Sequence, residues 1–381
     1  MLVDVRRQLH RHPEVAFEEY ETTRSIAGWL READIRIADY PLKTGLVAEI
    51  GRRAGGPIVA LRADIDALPI QEETGLPFAS AVPGKMHACG HDFHMAVILG
   101  AALLLRAREE ELPGTVRLIF QPAEEKGTGA AYAIDAGALE GVAGIFGLHN
   151  KPDLPVGTVG IRPGALMAGV DGFRIDVTGV GTHAAVPHAG VDPIVVAAQI
   201  VTALQTIVSR SISPLDSAVV SVTKLQAGTT WNVIPERAVL EGTVRTFDAA
   251  VRAEMPGRIE RIAEGIAGAL GATARLHWYP GPPSVRNDER LTSLTIKAAE
   301  AEGWRVVTPD PSPAGEDFAF YQERVPGSFV FVGTAGPREW HHPAFDLDER
   351  ALAPTARLFA RLAEVALAAW AGGGDSHSDR V

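Results

Sequence analysis

Ten consecutive positions, Lys85-Met-His87-Ala-Cys89-Gly-His91-Asp92-Phe-His94, hold three histidines, an aspartate and the only cysteine of a 381-residue chain. Thiolate, imidazole and carboxylate are the ligand set of zinc and related divalent ions. Two further stretches carry the same chemistry, Gln121-Pro-Ala-Glu124-Glu125 and Gly144-Ile-Phe-Gly-Leu148-His149. A Cys-x-His pair, a Glu-Glu pair and single histidines exceed the four ligands of one tetrahedral ion. They match a two-metal site, in which ions roughly 3.5 to 4 Å apart activate a water and polarise a scissile carbonyl. One of two adjacent glutamates can bind metal while its neighbour takes the proton as general base. Other readings stay open at this point. Cys89 could be a small packing residue or a nucleophile with a histidine base. Glu124-Glu125 could form a solvated turn before a helix, and His149 could be a satisfied core histidine. A non-catalytic binding protein on a hydrolase scaffold is a third class, since a fold alone does not establish activity.

These residues need elements to position them. The run Met95 to Leu105 is apolar enough for a helix buried on all sides, so the cluster lies at the start of a buried element, where ionisable groups are costly unless paired or metal-bound. Apolar strands are predicted at 46–51, 57–62, 114–120 and 144–148, with a Gly-rich turn between the first two. Strands alternating with helices imply a largely parallel sheet covered on both faces, with ligands beyond the carboxyl ends of its strands. Asp64, Glu124, Glu125 and His149 fall at such ends. Residues 2–33 read as helical segments broken at His12-Pro13, with His12 a capping or surface residue.

From Gly172 the pattern alternates apolar and polar. It gives the order strand, helix, strand, strand, helix, strand of the split βαβ arrangement, with Asp192 as N-cap and Pro193 at the first helical position. The fold class is therefore α/β: a doubly wound, mostly parallel sheet domain (1–166 and 281–370) with an inserted ferredoxin-like α+β domain (167–280). The polar, Gly-rich residues 371–381 are expected to form a disordered tail, in which His377 needs no function.

Composition sets outer limits. With 46% apolar and 22% charged residues and a mean hydropathy of +0.07, the chain reads as an ordinary soluble protein. A formal charge of −11 argues against nucleic acid or anionic membrane as the main partner. No basic-then-apolar leader and no apolar stretch of roughly 18 to 20 residues stands out, so no membrane span is expected and the cytoplasm is the expected location. A single cysteine forms no internal disulfide.

Taken together, Leu9-His-Arg-His-Pro-Glu14, Arg62-Ala-Asp-Ile-Asp-Ala-Leu-Pro69, His87-Ala-Cys-Gly-His-Asp-Phe-His94, Phe120-Gln-Pro-Ala-Glu-Glu125, His183-Ala-Ala-Val-Pro-His-Ala-Gly190, Asn232-Val-Ile-Pro235 and Gly315-Glu-Asp-Phe318 resemble the M20 family of metallo-amidohydrolases. The closest likeness is to its aminoacylase-like branch of hippurate, indole-acetyl-amino-acid and N-acetyl-diaminopimelate hydrolases. The resemblance runs from residue 2 to about 370. It implies hydrolysis of N-acyl amino acids to a carboxylic acid and a free amino acid. It also implies two divalent ions per subunit (Zn, Mn, Co or Ni) on Cys89, His91, Glu125, His149 and a C-terminal histidine. His341, two positions before a proline, fits that last place better than His342. Glu124 would be the base that activates the bridging water. The inserted domain would act as lid and homodimer surface, with His183, helped by Asn232, steadying the oxyanion and His188 a weaker candidate. Asp64 would buttress the ligands, and Gly315 to Phe318, Glu316 included, would line the substrate pocket. Lys126 stands where relatives usually carry glycine, a cation unfavourable beside two ions unless it points away.

Overall fold

The computed structural model describes residues 1–51 and 55–372. Its chain packs as two compact units: Met1–Leu166, Val285–Asp310 and Asp317–Val381 form the first, Met167–Ser284 and Pro311–Glu316 the second.

The first unit is built on an eight-stranded sheet. Its spatial order is Arg36–Ala38, Leu46–Ile50, Thr115–Gln121, Ile58–Asp64, Val142–Lys151, Gly327–Gly333, Thr158–Gly160 and Arg305–Val307. The four strands from Thr115–Gln121 to Gly327–Gly333 run parallel to one another. They are buried along almost their whole length, as strands covered on both faces must be. Antiparallel pairs join the first three strands, and Gly327–Gly333 to Thr158–Gly160. The strand through His149 does not stop at Leu148. Parallel pairing with Phe331 to Gly333 carries it on to Lys151, which puts His149 and Asn150 on the sheet itself.

The helix after the cysteine cluster starts at His91 and runs to Arg106, so His91, Asp92 and His94 occupy its first turn rather than a loop before it. It packs against Leu2–Arg11 and Leu352–Ala371. The approach is close. A Cβ on Gly100 would lie 2.8 Å from Ala356 Cβ and from a Leu2 methyl, so the helices meet over a glycine.

The second unit holds a four-stranded antiparallel sheet in the order Ala218–Ala227, Arg237–Thr246, Gly169–Thr178, Thr273–Pro280. Alternation of buried with half-buried or exposed residues along Gly169–Thr178 matches one covered face. Helices Pro193–Thr206 and Ala249–Ala269 supply cover, and the Asp192 and Asp248 side chains accept from their first-turn amides. Pro311–Glu316 belongs to this unit because Ala168 N–H donates to the carbonyls of Ser312 and Ala314.

The reading that no stretch is long and apolar enough to span a membrane is corrected by one helix. Pro193–Ser211 passes by length and composition, with 19 residues and a mean hydropathy of 1.4. Scattered Gln, Thr and Ser hide the run by eye, whereas Val196, Ala197, Ile200 and Leu204 join the core of their own unit. The expected disordered tail falls, from residue 373 on, outside the described residues, as does much of the Gly-rich turn between the first two strands.

Candidate metal centre

Cys89-Gly90-His91 makes a tight entry into the buried helix. Gly90 has φ +83°, and a Cβ there would lie 2.4 Å from Asn150 Nδ2. Only glycine fits. The same Asn150 Nδ2 donates to the Cys89 carbonyl at 2.6 Å, tying the cysteine turn to the strand that carries His149. Cys89 Sγ lies 3.4 Å from His149 Nε2.

The two glutamates sit on the 3-10 turn Glu124–Lys126. It is entered through Ala123, a non-glycine residue at φ +56°. Such a conformation survives where its surroundings fix it. Glu19 Oε1 accepts from Ala123 N–H at 2.9 Å, and the Asp66 carboxylate accepts from Glu124 N–H and Glu125 N–H, both at 3.0 Å.

His341 reaches the cluster from 190 residues beyond the strand of His149 and Asn150. Its backbone, at φ +63°, donates to the Ala88 carbonyl at 2.9 Å, and its Nε2 is 3.5 Å from Glu125 Oε1. His342 is spent on Ala344 N–H and joins none of the donor clusters among the described residues.

The donor atoms therefore gather in overlapping groups, each within 4.8 Å: Cys89, His91 and His149; Cys89, Glu125 and His341; His91, Glu124 and Glu125. Cys89 belongs to two of them. Asp64, His91 and His94 form another, but His94 is already committed. Its Nε2 accepts from Asn150 N–H at 2.9 Å, so its Nδ1 donates to Asp64 at 2.6 Å. His91 and His149 differ in kind. Each gives its Nδ1–H to a backbone carbonyl, Asp66 and Asn150 respectively, which turns Nε2 inward as the atom that could bind metal.

Electrostatics fits cations. Burial alone would depress His91, yet Asp64, Asp66 and Glu125 push it up to about 10. Burial, reinforced by Glu125, Glu124 and Asp64, holds the Cys89 thiol well above its usual range. Burial and the neighbouring His94 hold His149 well below the imidazole range. Glu125 stays low despite burial, through His341 and His91. His91 Nε2 and Glu125 Oε1 are buried without a hydrogen bond and lie 3.9 Å apart. Soft and hard donors, surplus buried acid and unbonded atoms aimed at one another suit divalent ions. A thiol surrounded by carboxylates suits a nucleophile poorly.

Several contributors were not singled out from the sequence. Asp66 caps the glutamate turn, Asn150 braces Cys89 and His94, and Trp340 lies edge-on to His149 with ring centroids 4.5 Å apart. Arg62 and Asp317, both buried, pair behind Asp64. The spacing Arg62-Ala-Asp64-Ile-Asp66 after a strand and the run Gly315-Glu-Asp-Phe318 carried a signal for three of them. Lys126 is exposed, with Nζ 5.7 Å from the centre of the Phe17 ring.

In the second unit, His183 and Asn232 are brought together. His183 pairs with Val233 across two short strands, and Ala184 N–H donates to the Asn232 carbonyl. His183 and His188 are exposed, whereas Glu316 is buried.

A mostly parallel α/β sheet whose rim collects Cys, His and Glu donors around one thiol defines a metallohydrolase type of architecture. The family model for peptidase family M20/M25/M40 matches residues 60–365, and the chain belongs to that family. It is 56% identical over 367 residues to the N-acetylcysteine deacetylase of Bacillus subtilis (strain 168), covering 96% of this chain and 97% of the relative. It is 40% identical over 379 residues to the IAA-amino acid hydrolase ILR1-like 4 of Arabidopsis thaliana, covering 95% and 84%. Among solved structures it is similar to the Bacillus subtilis YXEP protein, described as a dinuclear metal-binding peptidase of the M20 family, with TM-score 0.88, 53% identity and 96% and 97% coverage.

Proposed function

We propose that this chain is a metal-dependent amidohydrolase that cleaves N-acyl amino acids into a carboxylic acid and a free amino acid. The observation that carries the reading is the pair of donor groups sharing Cys89, with Glu124 beside them on the Asp66-capped turn. Cys89, His91, Glu125, His149 and His341 would hold two divalent ions. When bound, such a pair acidifies water and polarises the amide carbonyl.

The chain's own residues supply the rest. The Glu124 carboxylate takes the proton of the attacking water and returns it to the leaving nitrogen. Asp317 N–H, 3.3 Å from Glu124 Oε1, helps to hold that carboxylate. The Asp66 carbonyl fixes the His91 ring, and Asp64 fixes His94. For the second unit we propose the lid and homodimer role. Its exposed Val195, Val219, Leu225 and Trp231 are the apolar surface that a second copy would cover, and His183 with Asn232 would steady the substrate oxyanion.

The test is turnover of acetyl, benzoyl and indole-acetyl amino acids by chelator-treated protein, before and after addition of Mn, Co, Ni or Zn. Loss and recovery of activity are expected. Full activity in a rigorously metal-free preparation would sink the reading. Given the N-acetylcysteine deacetylase relative, acetyl amino acids are the first substrates to try.

A further inference from the structure

Behind the donor cluster, Arg62 is buried with its guanidinium divided among three partners. Nε donates to Gln121 Oε1 at 2.8 Å, Nη1 to Asp64 Oδ2 at 2.7 Å and Nη2 to Asp317 Oδ1 at 2.8 Å. All four side chains are almost wholly inaccessible to solvent. Apolar residues of similar volume often stabilise such a position as well as a buried ion network does. Stability alone therefore does not account for three buried charges here; fixed geometry is what the network adds.

That geometry has two ends. At one, Asp64 accepts from Arg62 and His94, and its Oδ2 lies 3.6 Å from His91 Nε2. At the other, the Asp317 carboxylate accepts from Arg62, from Gln121 Nε2 at 2.9 Å, and from Ala130 N–H at 2.8 Å. With its side chain held from three directions, Asp317 presents its own backbone N–H to Glu124 Oε1. One guanidinium thus spans the residue that holds the base and the residue that faces His91.

We propose that Arg62 is a positioning residue, which through Asp317 sets the place of the Glu124 carboxylate relative to the donor cluster. This rests on the hydrolase reading above. A lysine at 62 has a single point charge and cannot serve both carboxylates and Gln121 in the fork geometry. The base would then lose its register.

The experiment compares Arg62→Lys and, as a second route to the same end, Asp317→Asn with the wild-type holoenzyme. Metal content, kcat, KM and amide hydrogen exchange of the peptide containing Asp317 are measured. The expected result is two ions per chain, KM within about twofold, and kcat lowered about 10- to 100-fold, with faster exchange around Asp317. Unchanged kcat at full metal content would overturn the proposal. So would a loss of kcat that excess metal restores, because Arg62 would then serve only to retain the ions. The exchange measurement needs no substrate. If the wild type turned over no acyl amino acid, the hydrolase reading would fail while unchanged exchange would still overturn the positioning role and faster exchange would support it.

Discussion

Asp66 accepts from the backbone amide of Glu124 at 3.0 Å with one carboxylate oxygen and, with the other, from that of Glu125 at the same distance. A single buried acid thus orients the main chain beneath both the proposed base and a proposed ligand. Asp66→Ala leaves two amides without their acceptor, at a cost of about 1–3 kcal/mol. A lower Tm and a fall in kcat of about 100-fold are expected, with Asp66→Asn, which keeps one acceptor oxygen, in between. Thermal unfolding and steady-state turnover check both.

Glu124→Gln keeps the shape of the side chain and removes its capacity to take a proton. Metal content should match the wild type, while kcat falls about 100- to 10,000-fold. Metal analysis beside turnover distinguishes this from a ligand variant: a variant short of metal would put Glu124 among the ligands.

His10 supplies a pH dependence away from the donor cluster. It is buried between Asp92, at 2.9 Å from its Nδ1, and Glu72, at 3.2 Å from its Nε2. Burial opposes its charge, but Asp92 and Glu72 outweigh it and raise the imidazole from 6.5 to about 9. A folded-state value above the unfolded one gives stability that is complete below about pH 6.5 and lost as pH rises through about 9. The loss is on the order of 3 kcal/mol. Chemical denaturation of wild type and His10→Gln between pH 6 and 10 tests this: the wild type should weaken over that span and the variant should show a flatter curve.

Trp340 donates Nε1–H to the Asn150 carbonyl at 3.1 Å and to its Oδ1 at 3.2 Å, beside the ring of His149. Trp340→Phe keeps an aromatic face and drops that donor. Loss of support behind a ligand costs about 10- to 100-fold in metal affinity. Competition with a chelator should register a decrease of that order, with little change in kcat at saturating metal.

Local chemistry made much of the centre legible. Cys89 and His91 announced themselves by their spacing, and Glu124, Glu125 and His149 by following apolar strands. His341 came from the family pattern, and the fold brings all six together. What escaped was the bracing. Arg62 meets Asp317 across 255 positions, and nothing local in either neighbourhood marks that pairing. Asp66 lay in a quoted motif, but its capping role depends on a turn 58 positions away. The helix that begins after Asp192-Pro193 is legible from its cap, but scattered polar residues mask how apolar its 19 residues are on average.

The two donor groups that share Cys89 differ in their access to solvent. Cys89, His91 and His149 are all buried, whereas the other group ends in His341, whose side chain is 53% exposed. In the proposed centre, one ion would be locked in and the other would trade with the medium. The metal found in a purified sample would then record two histories: the buried position what was present when the chain folded, the outer one the last buffer it met.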